Sequence, residues 1–489
     1  MLISLIIYSV LKLYLMLNIY QQSHYHIKSY LKHFLLNFIY YDGIPILLVI
    51  TGLVFDVIAI KIICAIYLFI FGIFYLFTRI HLIYTKRILI TMVLALVYII
   101  GMSFVPYIKY VLLLIIEFII IPIFLLEQFI SYLFNNKYIK EAKTKIFDYQ
   151  GKIIAVTGSA GKTSVKNLLN QALNLYTSSS TTPKSHNTVL GISKYINNLN
   201  IHMYENLVLE FGSSHVGDIK KLKTLAPPCI GFITGIDYMH MDTFKTLENV
   251  TKEKLSLLDG CYKAVVNFEC EHIRKNIKFN GKVISYGFNY GDYRAVNILD
   301  GNFDVYYKDE FLDTFKCKLI GKHQILNLLG VIAYIHSEGF DIEIVKRGML
   351  AFETPANRLT IKNKDNITIL DDSYNSNYNG FKEALSILGK CEGKRFLLTP
   401  GIVELGKYKR LVYEKLVEHI IDNVDVVILV GYYQTKTLYK LLKNKKIDVF
   451  VTNNFNRGYD IFMEMKRNID KCSLLIENDI PDLYRVGLV

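Results

Sequence analysis

The sequence predicts an N-terminal α-helical transmembrane region followed by α/β structure, in which a central P-loop ATPase-like domain with a mainly parallel sheet precedes a C-terminal Rossmann-like domain. Long apolar stretches recur near the N-terminus, whereas from Gly151 short β-branched runs alternate with polar helical stretches. A glycine-rich run, TGSAGKTS, stands between a strand pattern and a helix pattern. We therefore divide the chain into a transmembrane helical region at 1–135, a central domain at 136–351 and a C-terminal domain at 352–489.

The N-terminal part contains apolar stretches that each approach the roughly 20 residues a helix needs to cross a bilayer. About five spans are expected, at residues 2–20, 43–60, 61–78, 88–105 and 108–134. Lys and Arg are concentrated in alternate connecting segments, which predicts an outside N-terminus and a cytoplasmic remainder. We expect a multi-pass protein of the bacterial inner (cytoplasmic) membrane, in contact with the lipid bilayer. Glu127 lies within the last stretch, and we interpret it as a snorkelling or helix-pairing group rather than part of a proton path.

The charge and cysteine content narrow the possible partners. The formal net charge is +13, which suits either nucleic acid or a membrane surface. The soluble part shows no basic cluster interleaved with aromatic residues, so no nucleic-acid partner is expected. The seven cysteines are scattered without a C-x-x-C pair, which is typical of reduced cytosolic thiols.

The run TGSAGKTS at residues 157–164 is predicted to bind nucleotide phosphates. Glycines allow backbone N–H groups to surround phosphate oxygens, and a helix N-terminus adds partial positive charge. Lysine would neutralise the terminal phosphates, and the following threonine would hold Mg²⁺. Only two residues separate the two glycines, fewer than in the usual motif, and an ordinary glycine-rich β–α turn is the alternative. The predicted ATP-binding residues here are Gly158, Ser159, Ala160, Gly161, Lys162, Thr163 and Ser164.

Polar residues follow several of the predicted strands. The run NLVLE ends at Glu210, and CIGFITGIDYMH ends at His240. A second series after Pro355, containing ITILDDSYNSN, KRFLLTPG and DVVILVG, predicts the separate C-terminal domain. Because ligands bind at the carboxyl ends of parallel strands, these polar residues are candidates for one site.

Further motifs follow the glycine-rich run in a characteristic order. They are SHNTVLGIS (185–193), LEFGSSHVGDI (209–219), ITGIDYMHMDTF (233–244), VTKEKLSLL (250–258), GKHQILNLLG (321–330), NRLTI (357–361), LDDSYNSN (370–377) and GIVELG (401–406). The set resembles the Mur ligase family, and the DDSYNSN element points to its D-alanyl-D-alanine-adding branch. The resemblance covers roughly residues 150–410.

The resemblance implies an ADP-forming, ATP-dependent peptide ligase of peptidoglycan synthesis. ATP would phosphorylate a substrate carboxylate to an acyl phosphate, and an amine would then displace the phosphate. UDP-MurNAc-tripeptide and D-Ala-D-Ala are the implied substrates, and other cell-wall synthesis proteins are possible partners. Lys162, His240 and Lys254 are the implied catalytic residues.

The resemblance also implies a metal site, with two Mg²⁺ ions expected. Its ligands would be Thr163, Glu210, His240 and Lys254, the last as a carbamylated lysine that CO₂ converts into an anion. Carboxylate and imidazole ligands beside phosphate oxygens suit Mg²⁺. The alternatives are a solvated glutamate, a surface histidine and an ordinary helical lysine, and Lys252 is the neighbour that a misalignment would exchange for Lys254.

Other matched positions are expected to contact the substrates. His323 and Asn327 resemble the adenine contacts, while Arg358 and Asp371 or Asp372 resemble the C-terminal contacts to the nucleotide. The substrate-binding residues implied are Asn187, Thr188, Tyr374, Asn375 and Asn377. An Asx-rich turn is the alternative interpretation of the last three.

The sequence also departs from the family pattern. The N-terminal domain that grips the uridine nucleotide is not recognisable, Tyr378 and Gly380 replace the usual Pro and Ser, and TPGIVELG lacks an Asp while keeping Glu404 and Gly406. The end reads LLIENDIPDLY where a Lys-Gly-Ser loop is usual. Two alternatives therefore stay open: a Mur-like ligase acting on another peptide, polyglutamate or lipid-linked acceptor, and a non-catalytic membrane scaffold for wall synthesis.

Overall fold

A computed structural model describes most of the chain. The described residues are 2–23, 25, 27–38, 43–55, 57–74, 82–105, 116–299, 301–319, 321–353, 359–364, 366–373 and 376–478. The chain divides into two compact units, one of Met1–Asn136 with Pro481–Val489 and one of Lys137–Ile480.

The first unit is helical. Its helices begin with α1 to α5 (Leu2–Gln22, Ile27–Phe38, Ile44–Val54, Ile58–Phe74 and Lys86–Ser103) and continue with α6 (Ile116–Ile119) and α7 (Ile121–Phe147), which extends beyond the unit. Among the described residues, α1 and α5 are long and apolar enough to cross a membrane, with mean hydropathies of 2.0 and 1.8. α3 and α4 are apolar but shorter. Two qualifying helices are weak evidence for the five predicted spans, and parts of the second, third and fifth spans lie outside the described residues.

Glu127 makes helix-pairing contacts within this unit. Its carboxylate pairs with the Arg87 guanidinium and accepts hydrogen bonds from Tyr20 Oη at 3.0 Å and Ser131 Oγ at 2.5 Å. The Arg87 guanidinium lies 3.7 Å from the centre of the Tyr25 ring. The acid is therefore neutralised and hydrogen-bonded between helices, as the sequence interpretation expected.

The second unit contains a nine-stranded central sheet in the order β2-β3-β1-β4-β5-β6-β7-β8-β9. The strands β1 to β9 are Lys152–Thr157, Ser179–Thr181, Asn206–Glu210, Ile230–Ile233, Lys263–Asn267, Lys282–Gly287, Tyr293–Leu299, Asn302–Tyr307 and Glu310–Lys316. Neighbours from β2 through β7 pair in parallel, and β7, β8 and β9 form an antiparallel meander. The associated helices α8 to α15 are Lys162–Leu173, Val189–Asn198, Asp218–Leu225, Met241–Phe244, Leu247–Leu255, Glu271–Asn276, Lys322–Ser337 and Ile342–Gly348.

A six-stranded sheet follows in the order β10-β11-β15-β12-β13-β14. Its strands β10 to β15 are Thr360–Lys364, Ile367–Asp372, Lys394–Thr399, Val426–Val430, Asp448–Thr452 and Cys472–Glu477, and its helices α16 to α19 are Tyr378–Leu388, Lys409–Asn423, Tyr432–Leu442 and Phe455–Lys466. Every pairing is parallel except that of β10 with β11. This is the α/β arrangement expected after Pro355.

The central sheet reverses its direction of growth beside β1. The chain adds β3 and β2 on one side of β1 and β4 onward on the other, and ligands of open α/β sheets bind at such a switch point. Val156 of β1 is paired with Glu210 of β3, and Thr157 with Ile233 of β4. β1 and β3 are buried along almost their whole length, as expected for parallel strands covered on both faces. Their carboxyl ends therefore position the candidate site.

Candidate active site

The glycine-rich turn runs directly from β1 into α8. Gly158 and Gly161 have φ angles of +154° and +79°, a region that residues with a Cβ rarely adopt. A Cβ on Gly161 would lie 2.6 Å from Asn327 Oδ1, and one on Gly158 would overlap Thr234 Oγ1. Both glycines are therefore required by the close packing of this loop.

The loop is held open by contacts with the segment after β4. Ser159 N–H donates to the Gly235 carbonyl at 2.7 Å, and Asp237 N–H donates to Ser159 Oγ at 3.0 Å. Ala160 accepts a hydrogen bond from the Thr234 hydroxyl. These bonds fix the loop backbone before any ligand binds.

Lys162 and Thr163 begin the helix that follows. Lys162 Nζ bends back over the loop and donates to the Gly158 carbonyl at 2.8 Å and the Ser159 carbonyl at 3.2 Å. Its ammonium therefore lies where phosphate oxygens would meet it. Thr163 and Ser164 are buried in the first turn of α8, where the helix dipole favours an anion.

Glu210 ends β3 with a side chain that is 1% exposed. Asn187 Nδ2 donates to its Oε1 at 3.0 Å, and Lys166 Nζ lies 3.6 Å from its Oε2. That Oε2 is buried and accepts no hydrogen bond, so the Lys166 ammonium is the cation beside it. The predicted neighbour Thr188 instead caps α9, because its hydroxyl accepts from Gly191 N–H at 3.2 Å.

His240 lies in the segment after β4, not at the strand end itself, because β4 ends at Ile233. Its backbone has a φ of +53° and forms the N-cap of α11. Its Nδ1 is 2.5 Å from Glu404 Oε2, which leaves Nε2 as the nitrogen available to a metal.

Lys254 lies on α12 and is 3% exposed. Its Nζ donates to Ser213 Oγ at 2.7 Å. Burial, and then the positive charge of Lys162, lower the pKa of Lys254 well below its ordinary value. The neighbouring Lys252 is exposed, so Lys254 is the lysine that faces the site. Lys162, His240 and Lys254 line one small cavity.

A larger cavity of about 490 Å³ lies on the other side of the loop. It is lined by the loop residues Ala160 and Gly161 together with His323, Asn327 and Asp372. Three of the predicted nucleotide contacts, two on α14 and one at the end of β11, therefore border one space, which is within the usual size range of a small-ligand pocket.

The His323 ring is fixed by a carboxylate from the C-terminal part of the unit. His323 Nδ1 lies 2.6 Å from Glu383 Oε2, and His323 N–H also donates to this carboxylate at 3.1 Å. Burial would raise the pKa of Glu383, but the bonds from His323 outweigh it and the pKa is lowered. Glu383 is therefore charged and holds the ring at the cavity wall.

The DDSYNSN segment is partly described. Asp371 accepts from Ser373 Oγ at 2.7 Å, and Asp372 Oδ1 accepts from Leu359 N–H at 3.1 Å. Asn377 is the N-cap of α16, and its Oδ1 accepts from Gly380 N–H at 3.1 Å. The remaining predicted residues of this region, Arg358, Tyr374 and Asn375, lie outside the described residues.

The sequence reasoning missed four residues of the site. Lys166 is fully buried, and it donates to the Thr182 carbonyl at 2.7 Å besides pairing with Glu210. Asp237 Oδ2 accepts from Asn379 Nδ2 at 3.0 Å. The other two are Glu404 and Glu477.

Glu477 is a buried acid beside the DDSYNSN segment. It is paired in register with Asp372, and its Oε1 accepts from Ser376 Oγ at 2.5 Å. Burial, and then the charge of Asp372, raise the pKa of Glu477 well above its ordinary value. Lys166 carried a signal as a lysine one helical turn after Lys162 on an amphipathic helix, while Asp237 and Glu404 lie within quoted motifs but were given no role there.

The described residues contain no group of three or more His, Cys, Asp or Glu side chains that could hold a metal ion. A divalent ion would therefore be bound by ligands of several chemical kinds. Glu210 offers a buried carboxylate oxygen that accepts no hydrogen bond and lies 3.6 Å from Lys166 Nζ, His240 offers Nε2, and Thr163 lies in the first turn after the loop. Oxygen and imidazole ligands completed by phosphate oxygens fit Mg²⁺, so the residues present fit the ion that the sequence predicted.

A glycine-rich loop between a strand and the N-terminus of a helix is typical of α/β proteins of the P-loop nucleotide-binding class. Comparison with known proteins makes this more specific. Residues 156–335 match the Mur ligase middle domain. This chain therefore carries a Mur ligase middle domain, and the resemblance predicted from the motifs is confirmed.

Similar proteins include ligases with different amino substrates. The UDP-N-acetylmuramoyl-tripeptide–D-alanyl-D-alanine ligase of Borreliella burgdorferi is 29% identical over 57% of this chain and 62% of its own length. The UDP-N-acetylmuramate–L-alanine ligase of Dictyoglomus turgidum is also 29% identical, over 58% of this chain and 63% of its own length. The match thus spans a little under two thirds of each relative.

A solved structure shares the fold. The crystal structure of MurF ligase from Thermotoga maritima in complex with ADP superimposes with a TM-score of 0.62 at 23% identity, covering 72% of this chain and 81% of that chain. The predicted α/β architecture after the helical unit is therefore confirmed as a Mur ligase fold.

Proposed function

We propose that this protein is an ADP-forming, ATP-dependent ligase of peptidoglycan precursor synthesis that adds D-Ala-D-Ala to UDP-MurNAc-tripeptide. The observation that carries the proposal is the convergence of Lys162, His240 and Lys254 on one cavity at the end of the phosphate loop. Glu210 lies at the adjacent strand end. The similarity to D-alanyl-D-alanine ligases supports the substrate assignment.

The loop residues would bind and orient the ATP phosphates. Lys162 would release its two carbonyl contacts and bind the terminal phosphate, since an ammonium forms stronger hydrogen bonds with an anion than with a carbonyl. The γ-phosphoryl group would pass to the substrate carboxylate and give an acyl phosphate and ADP. The amine would then form the amide bond as phosphate leaves and the amine loses a proton.

Thr163, Glu210 and His240 would hold Mg²⁺, and Lys254 would hold a second ion after carbamylation. Bound Mg²⁺ supplies charge neutralisation for the transferred phosphoryl group. The depressed pKa of Lys254 supports this role, because the neutral amine is the form that reacts with CO₂. Ser213, whose hydroxyl oxygen is 2.7 Å from Lys254 Nζ, would orient that amine.

Substrate residues are proposed on the two sides of the loop. The larger cavity would hold the nucleoside, with His323 and Asn327 near the base. Arg358, Asp371 and Asp372 would contact the nucleotide from the C-terminal part. Closure of that part would exclude water, which otherwise hydrolyses an acyl phosphate.

The acceptor and amine contacts form a separate proposal. Asn187 and Thr188 would contact the muramyl peptide, and Tyr374, Asn375 and Asn377 the incoming amine. Thr188 and Asn377 act as helix caps, so their side chains would contribute mainly by fixing the backbone around the substrates.

A coupled phosphate-release assay tests the function with the full-length protein in detergent. Phosphate release should require ATP, UDP-MurNAc-tripeptide and D-Ala-D-Ala together. Lys162→Ala should abolish turnover, while Lys220→Ala, which changes an exposed lysine of α10, should leave it unchanged. Retained activity of Lys162→Ala would refute the role of the loop.

A second series of the same assay tests the identity of the amine substrate. A relative of equal identity uses L-alanine by its name, and Glu477 occupies the position expected for a Lys-Gly-Ser loop. L-alanine, D-glutamate and D-Ala-D-Ala should therefore be compared with their matching muramyl acceptors. Turnover with another pair, and none with D-Ala-D-Ala, would keep the ligase chemistry and replace the substrate.

The helical unit is proposed to anchor the enzyme in the bacterial inner membrane, with the catalytic parts in the cytoplasm. The long apolar helices α1 and α5 motivate this proposal. The full chain should stay in the membrane fraction after alkaline carbonate extraction. Release into the supernatant would refute anchoring without affecting the ligase assignment.

A further inference from the structure

Glu404 lies far from His240 in sequence and close to it in space. It belongs to the segment between β12 and α17, 164 residues after His240, and its Oε2 lies 2.5 Å from His240 Nδ1. Its backbone has a φ of +59°, a left-handed conformation that is uncommon for residues other than glycine. Such a backbone persists only when its surroundings fix it.

The backbones of the two segments also hold each other. Met241 N–H donates to the Glu404 carbonyl at 2.9 Å, immediately after His240. A Cβ on Gly406 would lie 3.1 Å from Asp242 Oδ1, so the C-terminal segment approaches the start of α11 closely. Glu404 thus contacts the histidine through its side chain and the next residue through its backbone.

A carboxylate on one imidazole nitrogen determines what the other nitrogen can do. The Glu404 carboxylate accepts a hydrogen bond from Nδ1–H, and a neutral imidazole with its proton at Nδ1 has its lone pair at Nε2. Histidines that bind metals commonly donate their second N–H to a carboxylate, which orients the ring and raises its basicity. The geometry at His240 is therefore that of an oriented metal ligand whose partner comes from another part of the unit.

We propose that Glu404 is a positioning residue, which orients His240 for metal binding and so makes the metal site depend on the approach of the C-terminal part of the chain. The inference rests on the proposed function insofar as His240 is taken as a metal ligand. It adds that a residue from the segment after β12 of the second sheet orients a ligand of the metal site beside the first sheet. ATP-bound metal and docking of the C-terminal part would then favour each other, because each stabilises the same His240 geometry.

A second contact joins the same two regions. Asp237 Oδ2 accepts from Asn379 Nδ2 at 3.0 Å, near the start of α16. Asp237 N–H donates to Ser159 Oγ in the phosphate loop at 3.0 Å. The short segment from Asp237 to His240 therefore links the phosphate loop, the metal ligand and the C-terminal part.

The test measures Mn²⁺ binding by electron paramagnetic resonance on the full-length protein in detergent with a non-hydrolysable ATP analogue. Variants Glu404→Ala, Glu404→Gln and His240→Ala are compared with Glu414→Gln, which changes an exposed glutamate of α17 paired with Arg410. Binding of a fluorescent ATP analogue, measured in the absence of divalent metal, reports whether each variant keeps its fold.

Glu404→Ala should raise the Kd for Mn²⁺ about tenfold or more, within the range known for residues that support metal ligands. Glu404→Gln should lie between Glu404→Ala and the parent, since its amide oxygen still accepts a hydrogen bond without the charge. Glu414→Gln and metal-free nucleotide binding should be unchanged. In a His240→Ala background, Glu404→Ala should have no further effect.

The outcomes separate this inference from the proposed function. If His240→Ala weakens Mn²⁺ binding and Glu404→Ala does not, the positioning role is refuted while the metal site stands. If the two effects simply add, Glu404 does not act through His240. If His240→Ala leaves Mn²⁺ binding unchanged, the assignment of His240 as a metal ligand and this inference are both refuted. The phosphate-release assay with the substrates still decides the ligase activity.

Discussion

Replacing Gly161 by alanine perturbs the phosphate loop in two ways. At a φ of +79°, an L-residue costs about 1–2 kcal/mol relative to glycine. The new Cβ would also lie 2.6 Å from Asn327 Oδ1, closer than van der Waals contact allows, so α14 or the loop must shift. Since both groups border the proposed nucleotide site, we expect ATP affinity to fall tenfold or more, equivalent to about 1.4 kcal/mol.

Gly339→Ala is a matched control for this variant. Gly339 has a φ of +78°, and a Cβ there meets nothing within 4 Å. Both variants should therefore lose about 1–2 kcal/mol of stability from the backbone alone. Fluorescent ATP-analogue binding and urea unfolding, measured on the same preparations, separate the two contributions.

The comparison can refute the reasoning in one specific way. If Gly161→Ala and Gly339→Ala both keep the nucleotide affinity of the parent protein, the loop is not the nucleotide cradle. If both variants lose nucleotide affinity equally, the loss reflects general destabilisation. Only a loss confined to Gly161→Ala agrees with a site in which the backbone approaches the phosphates.

Three further predictions follow from buried charges. Lys254→Ala should abolish turnover, and acetate or another short carboxylate should restore part of it in the phosphate-release assay; no restoration would count against carbamylation. Burial lowers the pKa of Lys254, so between the lowered and the ordinary pKa the unfolded chain binds more protons than the folded one. In that pH range the contribution of Lys254 to the free energy of unfolding therefore rises with pH. In CO₂-free buffer, Lys254→Met should raise the melting temperature at neutral pH and flatten this pH dependence. Lys166→Met should lower the free energy of unfolding by roughly 3 kcal/mol, because it leaves the buried Glu210 carboxylate without its counter-charge; an unchanged denaturation midpoint would contradict this.

Much of the α/β fold could be predicted from the sequence because parallel strands buried on both faces are continuous apolar runs. KIIAV and NLVLE correspond to β1 and β3. The helical unit was harder to predict, since apolar composition alone does not determine where a helix begins and ends. The predicted span at 43–60 contains the end of α3 at Val54 and the start of α4 at Ile58.

Site residues were predictable where the function depends on local sequence. Gly158, Gly161 and Lys162 lie within one short turn, and their spacing alone indicates a phosphate site. Glu404 and Asp237 lie within motifs that the sequence showed, but their contacts could not be found in this way, because their partners come from distant segments and no spacing rule connects them. Glu477 was hidden for the same reason, since its neighbour Asp372 lies on an adjacent strand.

The electrostatics of the site favour an anion between Lys162 and Lys254. The positive charge of Lys162 adds to burial in lowering the pKa of Lys254, so in the absence of a ligand two amines compete for one small cavity. A bound phosphate would neutralise Lys162, and carbamylation would give Lys254 a negative charge. Each change would remove a repulsion that the acids Glu253, Asp218 and Glu210 offset only in part, since the pKa of Lys254 stays lowered. We therefore expect the folded chain to hold an unfavourable pair of amines that binding of nucleotide and CO₂ would make favourable, as in a preorganised site that gives up stability for function.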